Sequence, residues 1–232
     1  MTTYSIKEFL VFISLFLLLQ PLKAQNIPSV RWEPGFSFTK KMDDRWSYNL
    51  SILGRQRFTN YGEGEENFRT DRWEIKAFGT YTLFGKRKLS LGYMYRKVDP
   101  FDEDAGYEHR LTQQFAFLTE LKGLRLANKI RVQERIRSSS YFTRLRYSIS
   151  SDFPLNGESL DEGELYFIAG NEVIYEFNSV EDELENRFSI GLGKLFQKGQ
   201  KLQLAVESQY SDLISEATSH ILQVKTVYYF SW

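Results

Sequence analysis

The 232-residue chain has no cysteine, which excludes disulfide staples and every thiolate site, catalytic or metal-binding. It has only two histidines, His109 and His220, far apart in sequence, so an imidazole-based zinc site is not expected. No Gly-x-Ser-x-Gly elbow, His-Glu-x-x-His helix or glycine-rich phosphate loop occurs. Ser219 adjoins His220, but adjacent residues of a strand point to opposite faces and make a poor nucleophile–base pair. No catalytic residue, metal or cofactor is assigned on these grounds, and the chain is not expected to be an enzyme. Charge of one sign is also missing: 30 cations balance 30 anions, so bulk charge gives no support to nucleic-acid binding.

Long hydrophobic runs are absent too. The longest, residues 9–19, covers about eleven positions against the roughly twenty that a membrane helix needs. Lys7 precedes it and Pro21-Leu22-Lys23-Ala24 follows, the layout of a secretory signal peptide. The expectation is a cleaved leader over residues 1–24 and a single domain over 25–232. Membrane embedding, if any, must then come from strands.

What the chain does have is aromatic residues, at 16%, together with 26% charged residues. A transmembrane barrel combines these, because each spanning strand is half apolar and encloses a polar lumen. The last stretch, residues 220–232, reads HILQVKTVYYFSW and puts Leu222, Val224, Tyr228, Phe230 and Trp232 on one face of a strand, with Gln223 and Lys225 on the other. Its aromatic end, Tyr228, Phe230 and Trp232, resembles the signal read by the outer-membrane barrel-assembly machinery.

The same alternation recurs along the chain. Trp46, Tyr48, Leu50 and Ile52 alternate with Ser47, Asn49 and Ser51, and Trp73, Ile75 and Ala77 alternate with Arg72, Glu74 and Lys76. Residues 30–40 alternate weakly around Pro34 and Gly35 and read as an edge-like or bent strand. Lys122-Gly123 reads as a two-residue hairpin turn. The count reaches about eleven strands. Bacterial single-chain barrels have even numbers, so the expectation is an antiparallel, up-and-down transmembrane β-barrel of 10–12 strands, twelve favoured.

Three neighbouring strands carry Glu108-His109-Arg110, Arg131-Val132-Gln133-Glu134-Arg135 and Arg144-Leu145-Arg146-Tyr147, with Asn171-Glu172 and Asn186-Arg187 further on. These resemble the landmarks of an outer-membrane family, the domain of unknown function numbered 2490. One departure is the order Gln133-Glu134, which places Gln133 in the lumen and Glu134 outside. The resemblance implies a barrel in the outer membrane of a Gram-negative bacterium and implies no activity.

On these strands Arg110, Arg125, Lys129, Arg131, Arg135, Arg137, Arg144 and Arg146 face inward against Glu108 and Glu120, with Glu172, Glu176, Glu74 and Glu207 as available partners elsewhere. Two readings stay open. The charges form ion pairs across a packed lumen, or the arginines line an anion-selective constriction or hold an anionic ligand. Charge also divides by connection length: the long loops are acidic around Glu63–Glu66, Asp99–Asp104 and Glu181–Glu185, and the short turns are basic. The expected protein is a monomeric outer-membrane barrel of structural or narrow-pore type, with lipid and the assembly machinery as partners. The alternatives are a soluble periplasmic lipocalin-like barrel and a lipid-active outer-membrane enzyme.

Overall fold

The computed structural model describes residues 29–58, 68–121, 124–157, 159–215 and 218–232. The expected leader, the expected loop over 59–67 and the expected Lys122-Gly123 turn lie outside them. Eleven strands follow one another: β1 (Ser29–Lys41), β2 (Trp46–Phe58), β3 (Arg69–Thr82), β4 (Lys88–Val98), β5 (Tyr107–Leu121), β6 (Leu124–Arg137), β7 (Tyr141–Pro154), β8 (Leu165–Phe177), β9 (Asp182–Gln197), β10 (Gln200–Ser211) and β11 (Ser219–Ser231). Each pairs antiparallel with its sequence neighbours, and β1 closes on β11 to complete a barrel.

The favoured twelve strands are therefore corrected to eleven. Even parity follows only if every junction is antiparallel, and here β1 and β11 run parallel, from Ser29↔Ile221 to Thr39↔Ser231. Nor is β1 an edge. Its ladder to β2 skips Glu33 and Pro34, passing from Trp32↔Gln56 to Gly35↔Leu53, because proline has no N–H to donate. The register with β11 runs unbroken through the same residues.

An odd number of strands puts the two ends of the wall at opposite rims. Ser29 lies at one, with the acidic connection between β4 and β5, and Trp232 at the other, with the turns around Asp43, Gly85 and Gly199. The division of charge by loop length holds only in part. The long connection between β7 and β8 is at the Trp232 rim, and the segment from Asp182 to Glu185, expected in a loop, is the start of β9.

The alternation decides what each face carries. Among the described residues four apolar side chains are buried, Met94, Phe142, Tyr166 and Ile174, against nineteen buried polar or charged ones. The outer wall is the reverse. Leu50, Ile52, Ile75, Leu91, Leu145, Leu192 and Leu204 are exposed around its middle. Trp46 and Tyr48 are exposed toward the Trp232 rim, and Trp73, Tyr95, Tyr107 and Tyr175 toward the Ser29 rim. Burial here thus removes charge from solvent and leaves hydrocarbon exposed, opposite to the arrangement of a water-soluble barrel with an apolar lining.

Several outward polar groups pair with one another. Asn171 and Asn186 exchange amide hydrogen bonds at 3.1 and 3.3 Å. Asn128 donates to Thr119 Oγ1 at 2.8 Å and accepts from Tyr147 Oη at 2.8 Å. Trp32 Nε1 donates to Thr226 Oγ1 at 3.2 Å across the parallel junction. Glu134, placed outside by the sequence pattern, is outside and accepts from Tyr141 Oη and from Thr143 Oγ1.

Candidate functional site

The candidate site is the lumen. Inward charges of neighbouring strands build a continuous chain of ion pairs, even though some directly facing positions, such as Arg110 and Arg135, carry the same charge. Arg72 joins Glu33 of β1 at 3.0 Å and Glu74 of its own strand at 2.6 Å. Arg96 of β4 joins Glu74 at 2.7 Å and Glu108 of β5 at 3.0 Å. Arg135 of β6 joins Glu108 at 2.7 Å and also holds Glu176 of β8, which Arg144 of β7 holds as well. Arg110 closes on Glu108 at 2.5 Å and Arg137 on Glu176 at 2.7 Å.

Glu108 is the hub, since Arg96, Arg110 and Arg135 all reach its two oxygens and its side chain is only 3% exposed. Shorter links complete the wall: Arg131 at 2.8 Å and Arg146 on Glu172, Arg187 on Glu185 at 2.6 Å, and Lys225 on Glu207 at 2.5 Å. A carboxylate in such a site is held by its cations, because leaving one charge unpaired in the interior is costly.

Toward the Trp232 rim the lumen turns from ions to hydroxyls and rings. Asn49 donates to Ser37 Oγ and Thr39 Oγ1, both at 2.9 Å, and Thr80 and Ser90 share a 2.8 Å hydrogen bond. Tyr166, 2% exposed, lies over Gly193 so closely that a Cβ there would fall 2.2 Å from its ring, and Gln203 donates to its hydroxyl at 2.9 Å. Phe78 takes the same position over Gly92. Both rings project inward at that end of the barrel. A cavity of about 150 Å³ opens near the Ser29 rim, lined by Arg137, Phe142, Glu176, Glu181, Asp182, Glu183 and Asp212. Its lining is mostly carboxylate, so it does not suit an anion.

The structure brings together Arg110, Arg131, Arg135, Arg144, Arg146, Glu108, Glu172 and Glu176 of the sequence-derived cluster. Arg125 is not among them and is corrected to an exposed position. Pairing of β4 with β5 ends at Ala116 and pairing of β6 with β7 begins at Ala127, so the hairpin between them projects beyond the wall and takes Arg125 and Glu120 with it.

The charge cluster read from the sequence omitted Glu33, Asp71, Arg55, Arg187 and Glu185, all of which belong to the lumen network. Glu185 was masked by the acidic run that it belongs to. Asp71 was masked by an irregularity in the β2–β3 register beside Arg55 and Gln56, which turns a residue of the wrong parity inward. Arg187 lies on the polar face of its strand by alternation with Phe188 and Ile190, and Arg55 does so in step with Ser47, Asn49 and Ser51.

Together the fold and the lumen define a class: a closed all-β barrel with an ionic interior and an apolar, aromatic exterior. The family model described as a protein of unknown function, DUF2490, matches residues 34–220, and the chain belongs to that family. No curated protein and no solved structure was found to match it. In this structure Glu108, Arg110, Arg131, Arg135, Arg144, Arg146, Glu172 and Arg187 of the landmark motifs face the lumen, while His109 and Tyr147 face outward, His109 Nδ1 lying 2.6 Å from Tyr93 Oη.

Proposed function

We propose that this protein is a monomeric, non-catalytic outer-membrane β-barrel whose lumen is a packed ionic core, so that its role is structural rather than that of an open pore. The observation that carries this reading is the reversal of faces, with Glu108 and Arg135 buried while Leu91 and Leu204 are 70% and 53% exposed. An outer wall of this kind is soluble only in lipid, and exposed aromatic residues near both rims suit the two interfaces of a bilayer. The pairing of Asn171 with Asn186 and of Asn128 with Thr119 and Tyr147 supports the same conclusion, since hydrocarbon offers such groups no other partner.

The leader and the aromatic C-terminal strand favour export and delivery to the barrel-assembly machinery, with Tyr228, Phe230 and Trp232 as the recognised residues, and with localisation in the outer membrane of a Gram-negative bacterium. A lipocalin-like role is disfavoured by a lumen lined mostly by charged and polar side chains. Fractionation of the producing cell with a heat-modifiability gel tests the placement. The expected result is a membrane-bound protein whose unheated form migrates faster. A soluble periplasmic protein with identical migration heated and unheated overturns the proposal. Planar-bilayer recording tests the lumen: no conductance above the lipid baseline is expected, and a steady anion-selective conductance would replace the structural reading by a pore.

A further inference from the structure

Ion pairs engage the guanidinium groups of β4, β7 and β9, but not all of those where β1 and β2 approach the Ser29 rim. Arg31 and Arg57 occupy directly facing positions on these two strands. Two carboxylates near them pair with other cations: Asp71 Oδ2 is held by Arg55 through both Nε and Nη2, although the charge of Asp71 also acts on Arg31, and Glu33 is held by Arg72. Gln223, which faces Arg31 across the parallel junction, accepts from Gln209 at 3.3 Å. Among the described residues neither Arg31 nor Arg57 has a hydrogen-bond or ion-pair partner, and the Nε of each is buried and unsatisfied.

Like charges directly opposite on paired strands destabilise a sheet, and buried donors without acceptors add to the cost. Both side chains are partly buried, and the Nε of each is enclosed. An anion with several oxygens offsets the repulsion between the two cations, because each guanidinium can grip it through a planar fork. We infer that Arg31 and Arg57 form a binding site for a water-borne oxyanion of the phosphate class, entered from the Ser29 rim.

This site is separate from the ion-pair chain through Glu108 and goes beyond the structural role. It lies inside the wall, so it is tested in detergent whether or not the barrel resides in a membrane.

The test is thermal unfolding of the barrel refolded in an uncharged detergent, with inorganic phosphate compared with chloride at matched ionic strength. A saturable rise in the midpoint with phosphate is expected. Arg57→Gln should weaken the apparent affinity about tenfold or more, the loss that goes with a charged hydrogen-bonding group. The Arg31→Gln/Arg57→Gln variant should lose the phosphate effect yet unfold, without phosphate, at or above the parent temperature, since the repulsion is gone. Lys129→Gln, which removes a lumen cation from another wall, should keep the phosphate effect.

A phosphate effect no larger than that of chloride, or one that survives in the double variant, overturns the inference. So does a double variant that unfolds below the parent, which would make the pair structural. Stabilisation by phosphatidic acid in mixed micelles but not by inorganic phosphate would move the anion to the outer wall. Phosphate binding that emerges only when Glu63, Glu65 and Glu66 are changed to Gln would show that the chain supplies its own anion, and would equally overturn it.

Discussion

Phe38 of β1 and Phe230 of β11 are stacked across the one parallel junction, with ring centroids 5.8 Å apart and planes within 13°. Phe36 and Tyr228 repeat the contact one step along, at 6.0 Å and 12°. Two matched aromatic pairs therefore oppose any slip of the closing register, and a one-residue slip would also turn the outward residues of one strand into the lumen. Replacing Phe230 by Leu keeps the residue apolar but loses the stack, and should cost about 1 kcal/mol. Urea unfolding of the refolded barrel, followed by its heat-modifiable band, checks this. An unchanged midpoint would mean that the backbone ladder alone sets the closure.

The facing of the strands was legible because period-two alternation is a local property. Trp73, Glu74, Ile75 and Lys76 announce their faces without knowledge of any neighbour. The pairing of charges was not, because the joining of Arg131 to Glu172 or Arg135 to Glu176 depends on which strands lie side by side and at what height. The strand count reached eleven from the same alternation, and a parity rule that presumes antiparallel closure then moved it to twelve. Pro34 misled for a related reason: it forbids one backbone donor, and the sequence does not say that the other neighbour continues the ladder past it.

Parallel closure has a topological consequence. The start of β1 and the end of β11 lie at opposite rims, so in an outer membrane Ser29 belongs with the acidic loops and not with the turn near Gly85. The cysteine-free background makes this easy to test. Single substitutions Ser29→Cys and Ala105→Cys should both react with a membrane-impermeant maleimide on intact cells, and Lys86→Cys should not. Ser29→Cys protected together with Lys86→Cys would require an even number of spanning strands.

The turn between β1 and β2 carries a pH-dependent contact. Asp43 Oδ1 accepts from the backbone N–H groups of Arg45 and Trp46, both at 2.7 Å, and these hydrogen bonds hold its carboxyl below the usual carboxylate range. A lowered folded value means that the contact favours the turn above the unfolded carboxyl value of about 3.9 and is lost as pH falls through the folded one. The amide signals of Arg45 and Trp46 should therefore stay constant from neutral pH to about pH 5 and move only in stronger acid. In Asp43→Ala they should lack that transition altogether.

Glu108 tests the lumen network at its hub. Glu108→Gln preserves shape but leaves Arg96, Arg110 and Arg135 short of a shared carboxylate in a buried site. The cost should be about 3 to 5 kcal/mol in denaturant unfolding, the range for breaking one side of a buried pair. Glu120→Gln, on the projecting hairpin, should change stability by no more than about 0.5 kcal/mol. Equal small effects at the two sites would mean that water fills the lumen and screens its charges.

Leu204 separates the two environments that a barrel wall can face. It projects outward between Leu192 and Thr226, with half of its surface exposed. Against hydrocarbon, Leu204→Arg should cost about 2 to 4 kcal/mol if it lies near the bilayer midplane. Against water the same change replaces exposed apolar surface by charge, and surface substitutions away from packed features stay within about 0.5 kcal/mol. Gln114→Ser, on the lumen side, loses only a 3.4 Å hydrogen bond to Ser90 and serves as the control. Refolding into liposomes and titrating with guanidinium reads both variants directly. A Leu204→Arg barrel as stable as the Gln114→Ser barrel would place the outer wall in water and remove the membrane from the proposed function.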